Sequence, residues 1–150
     1  MQVKRLVTAR GVCFLNGRLL CARQIHSEQN GKINEFWSTP GGKLDPEEDI
    51  LSCIKREMVE ETGIEPTVGD LLYVQQYNDG TYEYIEFFFN VENPEDYRKI
   101  DLSKTTHGET EIANIDFIDP KNNFILPKFL SETNIENDIN SKKTKIFNYL

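Results

Sequence analysis

The chain has no apolar run of about 18 residues, the length a membrane-crossing helix requires, so no such helix and no membrane partner are expected. Residues Met1 to Arg10 alternate charged and apolar side chains and lack the long apolar core of a secretory leader. Cysteine is scarce: Cys13, Cys21 and Cys53 form no CxxC pair, and their odd number suits reduced, mostly buried thiols in the cytoplasm. Positive charge is in deficit, with 17 Lys and Arg against 25 Asp and Glu and a formal net charge of −8. That balance argues against bulk nucleic-acid binding, which rests on a basic surface. It leaves room for small phosphate-bearing ligands if a cation bridges the two sets of negative groups. There is no internal repeat. What remains is 150 residues, 38% hydrophobic and 11% aromatic, which fit one globular domain over residues 1–150 that buries about two-thirds of its surface.

Residues 5 to 15 and 18 to 25 are strand-like and flank Asn16-Gly17, a two-residue hairpin signal. A polar loop (27 to 34) leads into "EFWSTP", read as a short strand, and then Pro40-Gly41-Gly42, where glycine allows a close backbone approach to a ligand. Asp45 as N-cap, Pro46 at the first helical position and Glu48 three residues after the cap predict a helix from Pro46 to Thr62, stopped by Gly63. "LLYVQQY", a turn at Asp79-Gly80 and "TYEYIEFFFNV" form a second hairpin, with Ile85, Phe87, Phe89 and Val91 on one face. Residues 113 to 119 read as a further strand, and 126 to 132 begin a C-terminal helix. The polar segment 133–150 reads as a partly mobile tail in which Ile146, Phe147 and Leu150 can dock. Strands with interspersed helices indicate an α/β domain with a mixed sheet packed between helices.

On a 100° helical wheel, Ile50, Leu51, Ile54 and Met58 form the inward stripe. Glu57 and Glu61 continue that stripe and Glu60 lies beside them, so the last turns of the helix are anionic where the first are apolar. An i,i+4 like-charge pair costs about 0.2–0.5 kcal/mol, and an anion near a helix C-terminus about 0.3–1 kcal/mol. Arg56 offsets one carboxylate, and the cluster stays net negative. A divalent cation resolves the set, and all-oxygen ligation favours Mg²⁺, or Mn²⁺ as a substitute, over zinc. Carbonyls of Gly41 and Gly42 can complete the shell. Such a site beside a glycine turn suits a diphosphate and the hydrolysis of its anhydride.

These residues resemble the Nudix hydrolases, whose pattern is G-x5-E-x7-R-E-U-x-E-E-x-G-U, where U is a bulky aliphatic residue. Here Gly42, Glu48, Arg56, Glu57, Glu60, Glu61, Gly63 and Ile64 fill the fixed positions across residues 42–64, and Met58 stands where Ile, Leu or Val is usual. The resemblance implies an α/β/α sandwich with a mixed sheet and hydrolysis of a nucleoside diphosphate linked to another moiety. It implies Mg²⁺ bound by Glu57, Glu60, Glu61 and the Gly41 carbonyl, with Glu57 a candidate general base and Glu48 and Arg56 orienting the loop and carboxylates. A further ligand or base is expected from "HGETE", where His107, Glu109 and Glu111 are candidates. Looser similarity outside the motif, in "LLYVQQYNDGTYEYIEFFFNVE", points to the ADP-ribose pyrophosphatase-like subgroup. ADP-ribose or a nucleotide sugar therefore ranks ahead of a (d)NTP. A homodimer is compatible with the family, and the competing reading is a Nudix-fold nucleotide-binding or sensor module without turnover.

Outside the motif, Arg10, Arg23 and Lys43 are candidates for phosphate or ribose contact, with edge-strand charge as the alternative for the two arginines. Glu86, between Tyr84 and Phe88, is either a pocket residue or a sheet-edge carboxylate. Trp37, Tyr82 and Tyr84 are either base-stacking or core aromatics. Cys53, on the inward helix face, reads as packing.

Overall fold

The stretch from Arg5 to Leu15 reads as one strand, but Cys13 divides it between two sheets. The computed structural model describes residues 2–150. In chain order the strands and helices are β1 (Arg5–Val12), β2 (Phe14–Leu15), β3 (Arg18–His26), β4 (Lys32–Ile33), β5 (Gly41–Lys43), α1 (Ile50–Thr62), β6 (Val68–Asn78), β7 (Glu83–Val91), α2 (Gly108–Glu111), β8 (Ile112–Ile118), α3 (Phe129–Glu132), α4 (Ile135–Ser141) and β9 (Lys145–Tyr149). A mixed sheet has the order β5-β1-β7-β6-β9, in which β1 runs parallel to β7 and β6 parallel to β9. A second, antiparallel sheet joins β2, β3 and β4, with β8 also on β3.

The Asn16-Gly17 hairpin is present. Both residues take positive φ, 51° and 79°, and Leu15 pairs directly with Arg18. The second turn is longer than a two-residue loop, because Asp79 Oδ1 accepts from both Thr81 N and Tyr82 N at 2.8 Å and holds four residues between β6 and β7. "EFWSTP" is not a strand. It is extended chain pinned by isolated bridges of Trp37 to Ile125 and of Ser38 to Ala22. The glycine pair that follows is itself a strand, β5, antiparallel to β1, with Gly41 opposite Arg10 at φ 145°. A Cβ on Gly41 would run into the Ala9 carbonyl, which is why glycine stands there.

Helix α1 starts four residues later than Pro46. Asp49, not Asp45, is its N-cap, accepting from Ser52 N at 2.8 Å and from Ser52 Oγ at 2.7 Å. The Asp45–Glu48 segment is a turn instead. Glu47 has φ 64°, which no continuous helix accepts, and Arg56 draws the Glu48 carboxylate back toward the helix at 2.7 Å. The C-terminal end is as expected: Gly63 (φ 76°) donates its N–H to Val59 O at 2.8 Å. Ile54 and Met58 are buried with Cys53, whereas Leu51 is 52% exposed and falls off the inward stripe.

The two faces of the mixed sheet are covered by different elements. Ala9 and Val91 pack with Cys53, Ile54 and Met58 of α1, and Gly11 faces the Met58 side chain. On the opposite face Tyr73 and Phe88 pack with Phe129, Leu130 and Ile135 of α3 and α4. Helices thus lie on both faces of a mixed sheet. The segment 133–150 forms α4, capped by Asn134 (accepting from Asn137 N at 3.0 Å), and β9, paired with β6 over five residues. Phe147 stacks on Phe129 at 4.1 Å, and Ile146 and Leu150 stay exposed. All three cysteines are free and buried, and burial raises their thiol pKa, to about 12 for Cys13 and Cys53.

Asp49→Ala removes the only side-chain cap of α1. It is expected to lower unfolding stability by about 1 kcal/mol, measured by chemical denaturation, whereas Asp45→Ala is expected to cost less.

Candidate active site

Arg56 organises the entrance to the site. Its Nε and Nη2 donate to the two oxygens of Glu48 at 2.7 and 2.9 Å, Nη2 also donates to the Lys43 carbonyl at 3.1 Å, and Nη1 reaches Glu57 Oε1 at 3.0 Å and Glu60 Oε2 at 3.2 Å. The fork thereby ties the turn before α1 to the carboxylates on it. The Arg56 hydrogen bonds hold the Glu48 carboxyl well below the usual range, at about 2.

Glu57 and Glu61 are in the opposite condition. Glu61 is only 5% exposed, and the one donor it receives is Gly41 N–H at 3.3 Å. Burial, with repulsion from Glu57 next, raises its pKa to about 8, against the charge of Arg10 and the Gly41 N–H. Burial also raises the Glu57 pKa, with Arg56 opposing and Glu60 adding to the rise. Gly42 makes room for this: a Cβ there would lie 2.5 Å from Glu57 Cδ.

The "HGETE" segment docks against the end of α1. His107 N donates to the Glu60 carbonyl at 3.0 Å, and its Nδ1 lies 3.3 Å from Glu60 Oε2. Glu111 is exposed but close enough that its charge disfavours ionisation of Glu61. Glu109 is exposed, and among the described residues it makes no ion pair or side-chain hydrogen bond. Among the described residues no three His, Cys, Asp or Glu side chains converge on one point, and Arg56 Nη1 bonds both Glu57 and Glu60. The donor set nevertheless fits a hard cation. It is all oxygen, it carries more negative charge than Arg56 offsets, and its buried member, Glu61, keeps a raised pKa in spite of Arg10, so a further cation would favour its ionised form.

Arg10 is not an edge charge. It lies on the inner strand β1, where its Nε donates to Glu86 Oε2 at 2.7 Å and its Nη1 to the Thr39 carbonyl at 2.9 Å. Glu86 is 3% exposed and accepts also from Thr8 Oγ1 at 2.7 Å and Gln75 Nε2 at 2.6 Å. Three hydrogen-bonding partners thus make Glu86 a floor residue of an adjoining cleft of about 690 Å³, which Arg10, Gln75, Tyr77, Tyr84 and Tyr149 also line. Arg23 and Lys43 are not among the lining residues. Arg23 binds Asn114 Oδ1 at 2.7 Å and sits 5.4 Å from the Trp37 ring, and the Lys43 side chain is exposed. Gln75, Tyr77 and Tyr149 belong to no motif in the sequence. The first two share alternation with Tyr73 in "YVQQY", a weak signal, and nothing local marks Tyr149.

The NUDIX domain family matches residues 5–135, and the chain belongs to that family. A CTP pyrophosphohydrolase of Escherichia coli (strain K12) is 33% identical over 75 residues, covering 49% of this chain and 53% of that protein. Human nucleoside diphosphate-linked moiety X motif 6 is 39% identical over 49 residues, 33% of this chain and 16% of that protein. The chain therefore spans about half the length, or less, of the curated relatives it matches. Among solved structures, a MutT protein from Methanosarcina mazei Go1 aligns over 96% of this chain and 99% of that one, with TM-score 0.69 and 18% identity. A UDP-X diphosphatase aligns over 98% and 68%, with TM-score 0.68 and 18% identity. At these identities both show the shared fold.

Because the Glu61 pKa is raised in the folded state, that state keeps a proton which the unfolded chain releases above about pH 4.3. In EDTA, stability is expected to decline as pH rises from about 5 to 8 on this account and to level off above. Glu61→Gln is expected to flatten the decline and to raise the melting temperature most at pH 8 and above, read by thermal melts at a series of pH values.

Proposed function

We propose that the protein is a hydrolase of the phosphoanhydride in a nucleoside diphosphate linked to another moiety, dependent on Mg²⁺ or, as a substitute, Mn²⁺. The observation that carries this reading is Glu61, buried beside Glu57 with only the Gly41 N–H at 3.3 Å as donor, at the foot of Gly41-Gly42 and next to a cleft lined by Arg10. Glu57, Glu60, Glu61 and the Gly41 carbonyl would hold the cation, which supplies charge neutralisation at the phosphate oxygens and a lowered pKa for attacking water. Arg56 orients Glu57 and Glu60 and fixes the turn through Glu48. Glu57, made more basic by burial, is the residue placed to accept the proton of water. Glu111 is the second candidate, since it borders Glu61 and is open to solvent.

For substrate, ADP-ribose or a nucleotide sugar ranks first, and the 690 Å³ cleft is of the size of small-molecule sites. A (d)NTP is the second reading, and the name of the Escherichia coli relative supports it. The complete carboxylate set gives no support to a binding module without turnover. Buried, unreactive thiols fit the cytoplasm, and a homodimer follows from family resemblance alone. Among the described residues no helix is long and apolar enough to cross a membrane.

The reading is tested by phosphate and nucleotide release from a panel of nucleoside diphosphate derivatives and nucleoside triphosphates, with Mg²⁺, Mn²⁺ or EDTA. Metal-dependent cleavage is expected, and Glu60→Gln is expected to abolish it with the melting temperature unchanged or raised. Full activity in that variant sinks the metal assignment. Gly42→Ala is expected to keep the fold but push the Glu57 carboxylate aside, lowering turnover on the order of 100-fold. A wild-type rate in that variant would remove Glu57 from the reacting geometry.

A further inference from the structure

Three tyrosines stand at one level on three neighbouring strands. Tyr77 of β6 pairs with Tyr84 of β7 on one side and with Tyr149 of β9 on the other, and all three line the cleft. Residues paired directly across adjacent strands project to the same face. The rings of Tyr77 and Tyr84 are stacked at 4.6 Å with an interplanar angle of 4°, and Tyr149 extends that row outward by one strand. It lines the cleft while remaining 49% exposed, so it has surface left to cover.

The inner end of the same cleft is chemically different. Arg10, Gln75 and Glu86 lie there, with Arg10 and Gln75 both donating to the Glu86 carboxylate and Arg10 close enough to favour ionisation of Glu61. From Arg10 and Glu86 outward the cleft therefore runs from charged groups to aromatic surface. A ligand with a diphosphate at the carboxylates has its flat, uncharged part to place at the tyrosines.

Strand β9 lies entirely beyond residue 135, where the family match ends. It is nevertheless firmly attached. Lys145 Nζ meets Asp138 Oδ1 at 2.6 Å, Tyr73 OH donates to Asp138 Oδ2 at 2.6 Å, and Phe147 stacks on Phe129. The outer wall of the cleft is thus built by a segment outside the matched domain and held in register by its own ion pair.

We infer that β9 is a specificity-determining wall of this cleft and that Tyr149 stacks on the nucleobase of the ligand, completing the Tyr77–Tyr84 row. This rests on the proposed function in taking the ligand to be a nucleotide whose diphosphate lies at the carboxylates. Stacking is tolerant of base identity, so Tyr149 selects for a base and not for one particular base.

The test is isothermal titration of ADP, CDP, UDP and inorganic pyrophosphate, with Mg²⁺, into the parent protein, Tyr149→Phe and Tyr149→Ala. Tyr149→Ala is expected to weaken the three nucleoside diphosphates by about 5- to 100-fold and to leave pyrophosphate affinity unchanged. Tyr149→Phe is expected to keep nucleotide affinity, and melting temperatures verify that β9 stays in place. The inference is overturned if Tyr149→Ala binds nucleoside diphosphates as the parent does. It is also overturned if pyrophosphate affinity falls equally, or if the parent binds none of the nucleotides. Tyr149-dependent binding without turnover of any substrate would uphold the wall and refute the hydrolase. Turnover with binding indifferent to Tyr149 would do the reverse.

Discussion

The contact on which the site depends is the fork between Arg56 and Glu48. Glu48 lies in a turn outside helix α1, and Arg56 lies two turns into it. Two charge-assisted bonds of 2.7 and 2.9 Å hold them together. That pairing decides where the helix begins, because a Glu48 bound to Arg56 and a left-handed Glu47 cannot belong to a continuous helix. It leaves Arg56 Nη1 free to face Glu57 and Glu60. One guanidinium thus shapes the loop, starts the helix and aims two carboxylates.

The arrangement carries a local energetic cost, and the fold shows where it falls. Glu48 is strongly acidic because its partner is a cation, whereas Glu61 is kept weakly acidic by burial and by the neighbouring Glu57 carboxylate, which outweigh Arg10 and the Gly41 N–H. Two glutamates on the same motif, 13 positions apart in sequence, are therefore driven in opposite directions by environment. A buried carboxylate with one long hydrogen bond does little for stability, and it is the property expected of a group reserved for a cation or a proton. The glycines serve this purpose. Gly41 permits β5 to lie against β1, and Gly42 leaves space that the Glu57 carboxylate fills.

Around that centre the mixed sheet separates two tasks. One face packs on α1 and fixes the carboxylates, and the other carries the Arg10–Glu86–Gln75 network and the tyrosine row. The alternation of β1 and β7 makes this possible: Ala9 and Gly11 serve the helix while Thr8 and Arg10 serve the cleft. The C-terminal strand then closes the open side of the second face.

The sequence by itself determined the parts whose physics is local. Asn16-Gly17 specified a hairpin because both residues accept positive φ, Gly63 specified a helix end for the same reason, and the spacing of Glu57, Glu60 and Glu61 put them together on one turn of helix. Tertiary structure decided the rest. Which Asp caps α1 depended on the pairing of Glu48 with Arg56, eight residues further along the chain. Whether Glu86 is an edge charge or a buried floor depended on Arg10 and Gln75, which reach it from two other strands. Segment 133–150 looked polar and partly mobile because its order comes from partners invisible locally, namely β6, Phe129 and the Lys145–Asp138 pair within it. Side-chain spacing along one element is written in the chain, but the burial and charge around a side chain are set by residues that only folding brings near.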